Sequence, residues 1–244
     1  MKILGLIGYP LSHSFSQRFF AEKFEKEGIA NYAYELFPLT SIDEFPELAK
    51  NSKIAGLNVT IPYKEQVIPF LDRLDKSALA IGAVNVIKIY NGEKVGFNSD
   101  YYGLKISLEK LLPSHFSSKA LILGTGGAAK AAQYTCEVLK IPHQLVSRNP
   151  AKGLTYKQLE ANPEIIRESH LIINTTPLGT HPNVGAKADI PYHLLGSSHY
   201  LHDLVYNPAE TAFMKAGLQY GAHVKNGYEM LVEQANKAWE IWHA

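Results

Sequence analysis

The segment Gly124-Thr125-Gly126-Gly127-Ala128-Ala129 carries the most legible chemistry in the chain. It follows the apolar run Ala120–Leu123 and leads into the helical Lys130-Ala131-Ala132-Gln133-Tyr134, so it fits G-x-G-x-x-A at a strand-to-helix turn. The first glycine allows the tight turn, the second lets backbone N–H groups approach a pyrophosphate, and the small Ala129 lets the helix lie close to the strand. The bland alternative is a Gly-rich turn that binds nothing. An NAD site calls for an acidic residue roughly 20 positions further on, to hold the ribose hydroxyls. Here that place reads Ser147-Arg148-Asn149-Pro150-Ala151-Lys152. A carboxylate would repel a 2′-phosphate, whereas Arg148 offers a planar fork of donors and Lys152 a second positive charge, so NADP is expected rather than NAD.

Four earlier segments set polar residues where packing alone does not call for them. In Gly8-Tyr9-Pro10-Leu11-Ser12-His13-Ser14-Phe15-Ser16, hydroxyls stand on alternate residues and can bind a carboxylate or a polyol, or cap a helix. In Asn58-Val59-Thr60-Ile61-Pro62-Tyr63-Lys64, Pro62 reads as a first helical residue, which puts Lys64 in the first turn. A positive helix end disfavours an ammonium and would bring the lysine towards acid–base use; an ordinary surface lysine is the alternative. In Gly82–Ile87 an amide, Asn85, interrupts an apolar strand and must find hydrogen bonds in backbone or ligand. In Gly96–Gly103, Asp100 opens a helix over 101–111, either as its cap or as a functional acid.

The elements that must carry these residues alternate between short aliphatic runs and longer segments of helical period, as in α/β proteins. Strands are predicted at 2–7, 32–37, 54–59, 84–89, 120–123, 144–147, 171–174 and 200–204. Helices are predicted at 16–27, 42–50, 101–111, 128–139 and 211–216, with a long one from Tyr228 to about Trp242 whose apolar stripe must pack on something. Leu111–Ser118, with Pro113 and its serines, is the best internal boundary. Two α/β lobes follow.

Composition narrows the function classes. The 244 residues are 46% apolar, and 24 Lys+Arg against 23 Asp+Glu leave a formal charge of +1, so no global field selects nucleic acid or an anionic membrane. One cysteine, Cys136, closes no intrachain disulfide, and the ten histidines lack metal-site spacing. The initial apolar stretch is too short for a signal peptide, and no run approaches the roughly 20 apolar residues of a membrane span. The expectation is a soluble, cytoplasmic protein without a metal.

In this order, the four segments and the dinucleotide turn resemble the shikimate dehydrogenase family across nearly the whole chain. Asn174-Thr175-Thr176-Pro177-Leu178-Gly179, Asp203 to Thr211 and Gly227 to Ala235 are similar to that family's later motifs. The resemblance implies an N-terminal α/β substrate lobe of residues 1–100 joined by the returning C-terminal helix 228–244, a Rossmann-type NADP lobe of residues 101–227, and a site between them that interconverts 3-dehydroshikimate and shikimate in chorismate biosynthesis. It implies that Ser14 and Ser16 hold the substrate carboxylate, that Thr60, Lys64, Asn85 and Asp100 surround the ring hydroxyls, and that Tyr206 and Gln234 add contacts. Lys64 is then the proton-transfer residue, with Asp100 anchoring the neighbouring hydroxyl and the lysine. It further implies that the loop of Gly124, Thr125, Gly126, Gly127, Ala128 and Ala129, with Ser147, Arg148, Asn149 and Lys152, meets the phosphates and adenosine, and that Thr175, Leu204, Gly227 and Met230 lie near the nicotinamide. The chain departs from the family at Ser147 and Asn149, where Asn and Thr are common, and at Thr180, where Met is. Dual quinate/shikimate use, a non-enzymatic NADPH sensor and a folate-linked dehydrogenase of similar layout are the rival readings.

Overall fold

The computed structural model describes residues 1–11 and 14–244; Ser12 and His13, part of the first hydroxyl-rich segment, lie outside the described residues. The chain divides into two compact units, Met1–Ser99 with Gln234–Ala244, and Asp100–Glu233.

The first unit holds strands β1 (Lys2–Gly8), β2 (Tyr32–Pro38), β3 (Ile54–Val59), β4 (Arg73–Leu74), β5 (Val86–Tyr90) and β6 (Glu93–Phe97), in the order β2-β1-β3-β5-β6-β4. It also holds helices α1 (Phe15–Glu27), α2 (Phe45–Leu48) and α3 (Lys76–Ile81). β1 runs parallel to β2 and β3, while β5 runs antiparallel to both β3 and β6. The loops that leave β1, β3 and β6 and the loop that enters β5 therefore meet at one edge of the sheet. That edge gathers four of the segments that the residue types single out.

The second unit opens with α4 (Asp100–Leu111) and carries five parallel strands, β7 (Ala120–Leu123), β8 (His143–Val146), β9 (Leu171–Asn174), β10 (Tyr200–Asp203) and β11 (His223–Lys225), in the order β11-β10-β9-β7-β8. Its other helices are α5 (Gly127–Val138), α6 (Tyr156–Ala161), α7 (Pro163–Arg167), α8 (Ala212–Gln219) and the start of α9 (Tyr228–His243). Residues of β7 and β9 are buried on both faces: Leu121 and Ile172 join one apolar cluster, Ile122 and Ile173 the other. This explains why these strands read as unbroken apolar runs rather than alternating ones. The chain steps from β7 out to β8 and then returns to the far side of β7 as β9. Such a reversal opens a crevice at the C-terminal strand ends, where doubly wound sheets bind their ligands.

Helix α9 serves both units. Met230 packs with Ile122 and Ile173 in the second, whereas Ala235, Ala238 and Trp242 pack with Leu4, Phe20 and Val86 in the first. The Trp242 indole N–H donates to the Ile87 carbonyl at 3.0 Å, so the buried ring keeps its polar atom paired. No helix among the described residues is long and apolar enough to cross a membrane.

Several elements differ from the sequence expectation. The helix predicted over 42–50 is a 3-10 turn, Ile42–Glu44, followed by the short α2, because Pro46 follows Phe45 at the helix start and permits no donor there. The strand predicted from Val84 begins at Val86. β4, β6, β11, α3, α6 and α7 stand outside the expected elements; each has six residues or fewer, too few for periodicity to register.

Candidate active site

In the first unit the residues gather at the edge where β1, β3 and β6 end. Ser14 is the N-cap of α1, its Oγ accepting the Gln17 N–H at 3.2 Å. The capping reading of this serine is therefore realised. A capping hydroxyl still has its own proton to donate, so one role does not exclude the other. Ser16 is the second residue of the same helix, beside Tyr34.

Thr60 and Lys64 follow β3. No helix starts at Pro62: residues 61–67 form successive turns that lead into a 3-10 turn at Ile68–Phe70. The expected helix dipole therefore does not act on Lys64. What holds Lys64 is its backbone, whose carbonyl accepts the Val84 N–H at 2.7 Å, one residue before Asn85. The half-buried Lys64 is thus tied to the loop that carries the buried amide.

Asn85 precedes β5 rather than interrupting it, yet its main chain continues the ladder: its N–H reaches the Phe97 carbonyl and its carbonyl accepts from Val59. The side chain is 3% exposed and hydrogen-bonded through both ends of its amide. Its Oδ1 accepts the Ser99 N–H at 2.6 Å, and its Nδ2 reaches Ser99 Oγ at 3.0 Å and Gln234 Oε1 at 3.4 Å. A second branch runs from the Asn85 carbonyl to Asn58 Nδ2, and from Asn58 Oδ1 to the Tyr34 hydroxyl at 2.7 Å. Burial pushes the Tyr34 phenol up, so it remains a donor. The residue pattern singles out Asn85 here, and the family resemblance Gln234; neither assigns a role to Tyr34, Asn58 or Ser99. A signal exists for Asn58, an amide at the end of an apolar strand, by the reasoning applied to Asn85.

Asp100 is the first residue of α4 and 8% exposed, so it lies inside the helix start rather than capping it from outside.

In the second unit the strand ends converge similarly. Gly124 has φ +119°, which disfavours any side chain, and a Cβ there would come within 2.6 Å of Thr175 Oγ1. The loops after β7 and β9 thus touch at the crevice, and Thr175 is fastened by its hydroxyl to the Leu123 carbonyl at 2.7 Å. Gly126 caps α5 without a side chain, and a Cβ at that position would meet nothing within 4 Å. The first-turn N–H groups of Gly127, Ala128 and Ala129 therefore face a bare turn fit for an anion. Thr125 lies within this turn, and the buried Ala129 packs in the cluster with Ile122.

At the end of β8, Arg148 and Lys152 are exposed cations. Ser147 is buried, its hydroxyl accepting the Asn149 N–H at 3.0 Å, and Asn149 Oδ1 accepts the Ala151 N–H at 3.0 Å. These two side chains shape the turn that presents Arg148. Thr180 likewise turns its hydroxyl back to the Pro177 carbonyl at 2.6 Å, closing the loop after β9.

Asp203 is the hub of the remaining loops, although the sequence motif around it assigns it no role. Its carboxylate accepts from Asn174 Nδ2 at 2.8 Å, Val205 N–H at 3.0 Å and Thr211 Oγ1 at 2.6 Å. Burial pushes this carboxyl up while the three donors hold it down. Asn174 in turn accepts from Thr176, so one buried acid ties the loops after β9 and β10 together. Tyr206 lies half-exposed on the second of these loops. Gly227 packs so closely on Leu204 that a Cβ would collide with the Leu204 carbonyl. Met230 contributes its side chain to the core, and Leu204 is partly buried against the same cluster.

A parallel doubly wound sheet with a glycine turn at its reversal, joined in one chain to a mixed sheet with a polar edge, defines a two-unit α/β protein of the dinucleotide-dependent dehydrogenase class. The model for the shikimate dehydrogenase substrate binding domain matches residues 6–87. A relative from Methanococcus maripaludis strain C7, named shikimate dehydrogenase (NADP(+)), is 37% identical over 99% of this chain and 91% of its own. The crystal structure of shikimate dehydrogenase 1 from Peptoclostridium difficile superposes with a TM-score of 0.86 at 35% identity, over 100% of this chain and 92% of that one. The shikimate 5-dehydrogenase of Thermus thermophilus, solved with NADP(H) and shikimate, gives 0.86 at 28% identity, over 99% and 93%. This chain belongs to the shikimate dehydrogenase family.

Proposed function

We propose that the chain is an NADP-dependent shikimate dehydrogenase, an oxidoreductase that interconverts 3-dehydroshikimate and shikimate in aromatic amino acid biosynthesis. The observation that carries this reading is the end-to-end likeness to relatives of that name. The glycine turn, the uncapped α5 and Arg148 fit a dinucleotide with a 2′-phosphate. In this reading the first unit, including its share of α9, is the substrate-binding part and the second the cofactor-binding part.

The residue roles follow. Ser14 donates its hydroxyl proton to the substrate carboxylate while capping α1, and Ser16 and Tyr206 add contacts on that side. Thr60, Asn85 and Gln234 hold ring hydroxyls. Asp100 accepts a hydrogen bond from the hydroxyl next to the reacting one. Bound NADP supplies the hydride acceptor in oxidation and its reduced form the hydride donor in reduction. Lys64 in its neutral form takes the proton of the reacting hydroxyl through Nζ, and returns it in reduction, so that charge does not build up on the oxygen. Gly124 to Ala129 receive the pyrophosphate, Ser147, Arg148, Asn149 and Lys152 the adenosine side, and Thr175, Leu204, Gly227 and Met230 border the nicotinamide. Asn149 and Met230 act by shaping their surroundings, since turn and core respectively engage their side chains.

The substrate is a small molecule. Cys136, buried and with its thiol pushed up to about 12 by burial, is an inert packing residue that accords with a cytoplasmic enzyme. The deciding assay follows NADP reduction with shikimate and with quinate side by side, and repeats both with NAD. Shikimate with NADP is expected to be the best pair; no reduction with shikimate would overturn the proposal.

A further inference from the structure

Ser99 is fully buried and immediately precedes Asp100, and none of the roles above uses it. Its two polar groups act on two amides. The Ser99 N–H can only donate, so the Asn85 atom it meets at 2.6 Å is the acceptor Oδ1. That choice turns Asn85 Nδ2 towards Ser99 Oγ at 3.0 Å and Gln234 Oε1 at 3.4 Å. The Ser99 hydroxyl has one proton and two acceptors in range, Asn85 Oδ1 and Gln234 Oε1, each at 3.4 Å. Ser99 Oγ already accepts from Nδ2 of that same Asn85 amide at 3.0 Å, so its own proton turns away from Asn85 and towards Gln234. Gln234 Oε1 then receives two donors, from residues 149 and 135 positions away. An amide whose carbonyl is held this way turns its NH2 to the opposite side.

We propose that Ser99 is a positioning residue for substrate recognition: it locks the polarity of Asn85 and Gln234, so that Gln234 meets the substrate with N–H donors and not with its carbonyl. The proposal rests on the reading of Asn85 and Gln234 as substrate contacts. Without the lock, Gln234 can flip, and the flipped orientation would oppose its carbonyl to a substrate oxygen lone pair.

The test uses the full-length protein. Ser99→Ala removes the hydroxyl and keeps the backbone N–H. It is expected to raise KM for shikimate about three- to tenfold, the loss of one hydrogen bond, with KM for NADP within about twofold of normal. Ser99→Thr, which keeps the hydroxyl, is expected to restore KM. If the hydroxyl acts through Gln234, adding Ser99→Ala to Gln234→Ala changes KM for shikimate no further. Should the alanine variant not fold, Ser99→Cys, similar in size but weak as donor and acceptor, carries the same expectation. An unchanged KM for shikimate in the folded variant, an equal rise in both KM values, or full additivity with Gln234→Ala would each overturn the proposal. An unmodified protein that does not oxidise shikimate would instead overturn the function on which it rests.

Discussion

At the scale of the residue, the strongest expectation concerns Lys64. Lys64→Met keeps most of the stem and removes the proton carrier. Turnover is expected to fall roughly 10²- to 10⁴-fold, with KM for shikimate within a few-fold. A surface charge near the site would instead change KM alone, and salt would soften the change; steady-state kinetics at saturating shikimate and NADP distinguish the two. Arg148→Ala is expected to reduce the preference for NADP over NAD by about tenfold to a hundredfold, the worth of a charge-assisted hydrogen bond. Equal kcat/KM ratios for the two cofactors before and after the change would remove Arg148 from cofactor choice. Ser14 needs a subtler variant because it caps α1. Glycine is nearly as good a cap as serine, so Ser14→Gly is expected to leave thermal stability close to normal while raising KM for shikimate. A normal KM would confine Ser14 to capping.

At the scale of the element, what matters is how neighbouring loops are tied. Asp203 receives three donors from β9, its own loop and Thr211. Asp203→Ala strands all three in a buried place, and a cost of at least about 2 kcal/mol is expected in denaturant unfolding. NADP binding is expected to weaken as the loops after β9 and β10 lose their tie. A variant of normal stability would show that water replaces the carboxylate. Gly227→Ala is expected to be disruptive for a different reason, since its Cβ has no room beside the Leu204 carbonyl. Relief requires moving the start of α9, which would show as raised KM for NADP.

For the whole molecule, two buried histidines set a pH dependence of stability. Burial pushes His202 down to about 3 and lowers His199 as well. Both stay neutral in the folded protein below the usual histidine range, whereas the unfolded chain takes up protons there. The unfolded state then binds more protons, so stability falls as pH falls below about 6.5, at about 1.4 kcal/mol per pH unit for each histidine fully engaged. For His202 the decline continues to about pH 3. Between about pH 6.5 and 5 the carboxylates with ordinary values add little, and urea unfolding in that window reads the histidines. His202→Gln is expected to flatten the slope; an unchanged slope would assign it elsewhere. Removing residues 234–244 is expected to uncover Leu4, Phe20 and Val86, which Ala235, Ala238 and Trp242 now cover. Loss of solubility and of shikimate binding would follow, and normal shikimate affinity in the shortened chain would contradict the role of Gln234.

The motifs legible from residue types are those whose chemistry is local. Gly124 to Ala129 form a turn between adjoining elements, and the φ of +119° at Gly124 is a need that a short stretch of chain imposes on itself. The same holds for the unbroken apolar strands β7 and β9, whose burial on both faces leaves no room for polar alternation. Short elements are not legible, because β4 and α3 owe their form to the sheet beside them. Turns replace a helix at 61–67 although Pro62 is a good helix starter, since the loop must also deliver the Lys64 carbonyl to Val84. Ser99 and Tyr34 can be found only in three dimensions, because their partners come from distant parts of the chain. Whether a buried serine meets an amide, and which end of that amide it meets, depends on the strand order β3-β5-β6 and on α9 reaching the first unit. Those are long-range outcomes of packing, decided by where apolar surface can be buried and not by the residues that flank each polar group.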